Sequence, residues 1–261
     1  VQLKDLGGVG FATQPAEVVN YVENHDNLTL FDVNALKLPA ATSREDRARV
    51  QLLGQATVAL SQGTAYFHAG ADTLRSKSLD RNSYDSGDWF NRLDWSYADN
   101  NFGVGLPRQA SNGADWGLLR PVLANAAIKP TPGDVAWARD AFRDLLKIRN
   151  STSLLRLRTA QDIRERLRFH NLGSSQVPTV LVGHVNGSGY AGANYQDLVY
   201  FINVGNTAQT LTLDALKGKA FELHPVHATG ADRRPATAAA YDGASGAFTV
   251  PARTVVVFVV R

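Results

Sequence analysis

The sequence predicts two kinds of structure in succession: an α/β segment over residues 1–150, then an all-β antiparallel sandwich over 151–261. Three observations carry this. Short apolar, β-prone runs at 18–22 and 64–68 flank a stretch of helical spacing, as in parallel strands joined by a crossover helix. Residues 70–133 show no sustained period yet are rich in aromatics. Beyond 151, short alternating or apolar runs recur between turn formers, the texture of a sandwich.

Val18-Val19-Asn20-Tyr21-Val22 reads as a short buried parallel strand. A helix starts near Thr42 and Ser43, which have capping-box spacing to Glu45 and Asp46. Val50, Leu53, Thr57 and Leu60 follow at helical spacing, and Gly63 reads as the stop. Residues 64–68 give the second buried strand, with His68 as a satisfied core histidine. The long stretch after it holds Tyr84, Trp89, Phe90, Trp95, Tyr97, Phe102 and Trp116, too many aromatics for disorder, so it reads as an ordered functional excursion. A second helix spans about 134–149, burying Val135, Ala138, Phe142 and Leu145, with Asn150 as its stop.

Strands are expected at 164–169, 179–185, 198–203, 209–213, 220–223, 247–250 and 254–260. Asn171-Leu172-Gly173, Asn186-Gly187, Gly205-Asn206 and Asp242-Gly243 separate them. In the first of these strands Ile163, Leu167 and Phe169 share one side, leaving Arg164, Arg166 and Arg168 to water. That accounts for the basic cluster without nucleic acid, since no aromatic–basic groove motif accompanies it.

The net charge of +3 is small for 261 residues, and the absence of cysteine excludes disulfides and thiolate metal sites. The longest apolar run, 255–260, is too short to span a bilayer. The chain begins at Val1 and contains no Met, so its first residue is not expected to be the translation start. Two strand–helix units also cannot close a parallel sheet or an α/β barrel, so an N-terminal portion is expected to be missing.

The densest polar signal is Val22-Glu23-Asn24-His25-Asp26-Asn27, after the first strand, at the end where α/β barrels gather reacting groups. A bound polyol would satisfy such a cluster. A strand-to-loop turn held by Asx hydrogen bonds would satisfy it too. A metal at His25 and Asp26 fits less well, because neighbours on an extended chain point to opposite sides.

Asn24-His25-Asp26 resembles the fourth conserved region of the α-amylase superfamily, which follows the seventh strand of a (β/α)8 barrel. The longer string 21–32 is similar to the version in pullulanases and limit dextrinases. So are Leu74-Arg75-Ser76-Lys77-Ser78, the stretch 82–92 and the stretch 99–107, which resemble the loop after strand eight. The resemblance covers residues 18 to about 150 and is diffuse beyond. It implies that 1–150 is the C-terminal part of the barrel (strands seven and eight, the substrate loop and the last helix), followed by the sandwich at 151–261. The implied activity is retaining hydrolysis of α-1,6-glucosidic bonds in pullulan, limit dextrin, branched starch or glycogen.

By the resemblance, Asp26 is the carboxylate that steadies the cationic sugar ring, and His25 hydrogen-bonds the same sugar. Asp88 and Arg92 hold the next glucose inward, or else pair with each other on a solvated turn. Trp89 and Phe90 anchor the loop or stack on sugar. Ser76 and Lys77 receive no firm contact. Gly70-Ala71-Asp72 departs from relatives, which carry Glu after the Gly. Nothing resembles the motifs of the nucleophilic Asp or the general-acid Glu, and Glu23 is no substitute, so the chain alone is expected to be inactive and to need the missing half of the barrel. No cofactor is implied for the chemistry, and a structural calcium in the parent protein stays open. So does the cellular address, with a secreted or cell-envelope bacterial protein as the leaning. The competing readings are a non-catalytic carbohydrate-binding fragment and a transglycosylase such as a branching enzyme.

Overall fold

In the computed structural model, residues 12–261 are described. The described residues open with a single 3-10 turn at Pro15–Glu17, followed by β1 (Val19–Asn20), α1 (Leu30–Lys37), α2 (Arg44–Ala59) and β2 (Thr64–Ala65). β1 and β2 pair in parallel, Val19 opposite Thr64, as the sequence implies. They are two residues long rather than five, and none of their four residues is buried, with Val19 54% exposed. The reason is that each strand has a single neighbour in its sheet.

α1 was not expected. It begins at Thr29, whose hydroxyl accepts from the Asp32 N–H at 3.1 Å. α2 begins at Ser43, which accepts from the Asp46 N–H at 3.1 Å, the second of the two anticipated caps. Thr57, placed on its apolar face by the spacing, is instead exposed. Its hydroxyl donates to the Gly54 carbonyl.

Residues 70–133 contain more structure than their aperiodicity suggests. Single 3-10 turns lie at Ala71–Thr73, Ser83–Asp85 and Gly113–Asp115. Short helices follow as α3 (Asp88–Asn91), α4 (Gln109–Asn112) and α5 (Trp116–Leu123). A small core of Phe31, Leu74, Leu79, Phe102, Leu119 and Ile128 holds them together, with Phe31 and Phe102 edge to face at 5.6 Å. α6 (Pro132–Asn150) carries a capping box between Thr131 and Asp134, buries the four residues expected, and runs through Asn150 rather than stopping there.

α7 (Ala160–Arg166) corrects the strand expected at 164–169. The Arg-apolar alternation mimics period two, but Thr159 and Asp162 form a capping box that starts a helix instead. Only β3 (Leu167–His170) is extended, and Phe169 lies exposed at this sheet edge rather than in the core. The Arg166 guanidinium lies 4.7 Å over the Tyr190 ring.

The remaining elements are β4 (Val180–Asn186), β5 (Asp197–Asn203), β6 (Gln209–Thr212), β7 (Glu222–Leu223), α8 (Pro225–Thr229), α9 (Arg234–Ala238), β8 (Ala240–Asp242), β9 (Ala247–Val250) and β10 (Thr254–Val260). Of these, α8, α9 and β8 were not anticipated. The strands form two antiparallel sheets, β3-β4-β5-β10-β7 and β6-β9-β8. The architecture is thus mixed helix and antiparallel sheet, with the larger sheet covered on both faces. Val199, Phe201, Val256 and Phe258 meet Phe248 and Val250 of the smaller sheet. Leu198, Tyr200, Ile202, Val255, Val257 and Val259 meet Leu52, Ala56, Leu145 and Ile148 of α2 and α6. Burial on both sides explains why β10 reads as one unbroken apolar run. The helix-facing core draws on residues from both sides of position 151. At this seam His227 Nε2 accepts from the Val257 N–H at 3.1 Å, and His224 Nε2 lies 3.0 Å from the Ser151 hydroxyl. Among the described residues no helix is long and apolar enough to cross a membrane.

Candidate substrate-binding site

Past β1 the chain turns sharply. Asn24 Oδ1 accepts from the Asp26 N–H at 2.8 Å, the Asx turn that the sequence allowed, and Asn27 takes left-handed backbone (φ 55°). The turn lifts His25 and Asp26 into solvent, their side chains 80% and 69% exposed. His25 Nε2 and Asp26 Oδ1 approach to 3.5 Å. The expectation that they point to opposite sides is therefore corrected, because this segment is a turn and not extended strand. Even so, the described residues hold no group of three side chains able to bind a metal.

Glu23 points the other way. Its carboxylate is buried and accepts from the Leu30 N–H at the start of α1. Its second oxygen lies 3.4 Å from His68 Nδ1, but neither atom makes a hydrogen bond. His68 is thus largely buried, as the sequence suggests, without being satisfied at Nδ1.

Beneath the turn runs a segment of buried polar residues, Arg75, Ser76, Lys77 and Ser78. Asp32, wholly buried on α1, organises it. Its carboxylate accepts from the Ser76 hydroxyl at 2.5 Å and from the Lys77 N–H at 2.8 Å. Burial pushes the Asp32 carboxyl up to about 6, against these hydrogen bonds, which pull it down. The Lys77 ammonium donates to the His25 carbonyl at 3.1 Å. The Arg75 guanidinium donates to the carbonyls of Asn91 at 2.8 Å and Arg92 at 3.3 Å. Gly70 makes room for that guanidinium: its φ is +93°, and an added Cβ would lie 2.6 Å from both Arg75 Cδ and Leu93 Cδ2.

One buried segment therefore anchors both the turn bearing His25 and Asp26 and the loop bearing Asp88, Trp89 and Arg92. Asp88 and Arg92 are both exposed, and no ion pair joins them. Trp89 and Phe90 differ in burial. Phe90 is buried, whereas Trp89 is 63% exposed and braced by its indole N–H on the Val104 carbonyl at 3.2 Å. Downstream, the Ser96 hydroxyl and backbone N–H hold the Asp94 carboxyl down at about 2. Asp32 and Arg75 fall within the stretches that carry the resemblance but were assigned no role from sequence. The spacing of Thr29 to Asp32, a helix start, is the signal that would have found the first.

Residues 97–261 match the family described as alpha-1,6-glucosidases, pullulanase-type, C-terminal. Pullulanase 1, chloroplastic, of Arabidopsis thaliana is 45% identical over 99% of this chain, and the chain spans 28% of that relative's length. The crystal structure of PulA from Klebsiella oxytoca superposes with a TM-score of 0.89 at 35% identity, over 97% of this chain and 24% of that one. A Klebsiella pneumoniae pullulanase complexed with maltotriose gives a TM-score of 0.88 at 34% identity, over 96% of this chain and 24% of that one.

Proposed function

This chain belongs to the pullulanase-type α-1,6-glucosidase C-terminal family, and from that premise we propose that it forms part of an enzyme that debranches α-glucans by retaining hydrolysis. The substrates are pullulan, limit dextrin, branched starch or glycogen, and the maltotriose complex of a 34% identical pullulanase supports α-glucan binding. β1 and β2 are then strands seven and eight of a (β/α)8 barrel, residues 1–150 its C-terminal part, and 151–261 a sandwich domain. The nucleophile and general acid come from protein outside these 261 residues. Glu23 does not replace the acid, since its carboxylate is buried under the Leu30 N–H.

The roles follow from charge and reach. Retaining cleavage passes through an oxocarbenium-like transition state to a covalent glycosyl intermediate. The exposed Asp26 carboxylate accepts hydroxyls of the reacting sugar, and its negative charge favours the developing cation. His25 donates to the same ring. Asp88 accepts from, and Arg92 donates to, hydroxyls of the next glucose, while Trp89 offers an exposed indole face.

The observation that carries this reading is the common anchorage on segment 75–77 of the His25–Asp26 turn and the Asp88–Arg92 loop. Reducing-end release from pullulan by the full-length protein tests it. Asp26→Asn should lower kcat by about 10²–10³-fold, and products from α-1,4 cleavage alone would overturn the debranching claim. The exposure of Trp89 also suits a carbohydrate-binding fragment without activity. Retention of this chain on pullulan, with no hydrolysis by the full-length protein, would favour that second reading.

A further inference from the structure

Lys77 is 1% exposed and among the largest fully buried side chains of the protein. Burying an ammonium is unfavourable unless its surroundings compensate. Among the described residues Lys77 makes no ion pair, and the acceptor of its ammonium is the main-chain carbonyl of His25. Burial, and then the Arg75 guanidinium, push its pKa down, while Asp32, Asp80 and Glu23 oppose them.

The backbone carrying Lys77 is held with equal care. Its N–H donates to Asp32, and its carbonyl accepts from the Asp80 N–H at 3.0 Å. Leu74, Ser78 and Leu79 hold left-handed backbone at φ 58°, 52° and 62°. Strain of this kind in residues other than glycine persists only where the surroundings over-determine the conformation. A costly cation on a strained, fixed segment thus touches one exposed turn, at the peptide joining His25 to Asp26.

We propose that Lys77 is a positioning residue for the reaction: donating from beneath to the His25 carbonyl, it fixes the peptide that sets the directions of the His25 imidazole and the Asp26 carboxylate. This rests on the reading of Asp26 as the group that stabilises the transition state. Lys77 itself touches no substrate. Without its hydrogen bond the Asx turn remains, but the peptide is free to rotate, and the carboxylate loses its fixed approach to the sugar ring.

The test is a double-mutant cycle on pullulan hydrolysis by the full-length enzyme, with Lys77→Met, Asp26→Asn and the pair. Melting curves accompany each variant. Lys77→Met should lower kcat by about 10²-fold, the cost of misplacing a reacting group by an ångström. In the Asp26→Asn background its further cost should shrink to a few-fold, because the two changes disable one unit. A residue that merely supports the fold would multiply its loss with that of Asp26. Lys77→Met within two-fold of the parent, or fully multiplicative losses, would overturn the proposal while leaving Asp26 in its role. Full kcat in Asp26→Asn would remove the reading beneath it and the proposal together. Should Lys77→Met not fold, Lys77→Gln, polar but one bond shorter so that its N–H donors fall short of the His25 carbonyl, enters the same cycle with the same criterion.

Discussion

β1 and β10 grow from similar text, apolar runs dominated by valine, and end in opposite surroundings. β10 lies between β5 and β7, with the helices over one face and the smaller sheet over the other, and six of its seven residues are buried. β1 has β2 on one edge only, and Val19, Tyr21 and Val22 stand exposed. An apolar run states a need for burial, and neighbouring elements decide whether it is met. The sandwich meets its own need by borrowing α2 and α6. The paired strands beside the candidate site do not meet theirs among the described residues.

Separating the two regions should have the largest effect. Residues 1–150 alone would leave Leu52, Leu53, Leu145 and Ile148 without the sheet face they pack on, so a broad, non-cooperative melt is expected by calorimetry. A sharp transition would break the comparison.

Next comes acid. Burial holds His224 at about 4 and His227 at about 3, below the ordinary 6.5. The unfolded chain therefore binds more protons between those values, and the seam loses stability as pH falls from 6.5 through 4, by several kcal/mol on the order of 1.4 per unit. Asp32 runs the other way: its folded value, raised to about 6, makes the stability it contributes fade as pH rises from 3.8 through 6. Amide exchange at pH 4 and pH 7 should show protection at Val257 falling on acidification while protection at Lys77 rises.

Phe248→Ala should cost about 3–5 kcal/mol in denaturant titration, whereas Val19→Ala should stay within about 0.5 kcal/mol in this chain. In the full-length protein the second figure should grow, if further strands cover Val19 there. Trp89→Ala should be the smallest in stability, under about 0.5 kcal/mol, yet it should weaken retention of the full-length protein on a pullulan affinity gel.

Much of the sandwich was legible because each strand advertises itself locally. β10 matches its expected bounds, and β4 and β5 lie within a residue or two of theirs. α7 was misread because arginines alternating with Ile163, Leu167 and Phe169 satisfy period two as well as a short helix does, and only the box from Thr159 to Asp162 decides. α1 was missed because eight residues with a buried aspartate offer little amphipathic contrast. Among the exposed groups at the site, His25 and Asp26 stood out as a dense polar cluster after an apolar strand and Trp89 as one of many aromatics, whereas Asp88 and Arg92 came from the resemblance alone. The groups beneath them lay in the stretches that carry the resemblance but received no firm role, for a physical reason: Asp32, Arg75 and Lys77 are charged, and charge in a sequence argues for the surface. Only the fold shows that here it lies inside.

The left-handed glycine at position 70 sets a trap for anyone stabilising this protein by rational substitution. Exchanging glycine for alanine usually stiffens the unfolded chain to advantage. Here the new methyl would strike Arg75 and Leu93 at 2.6 Å and lever the guanidinium away from the loop that carries Asp88 and Arg92. On the proposed reading the cost is twofold: alanine at this positive φ lowers stability, and the displaced loop loses affinity for the glucan, one side chain removed from the residues proposed to touch it.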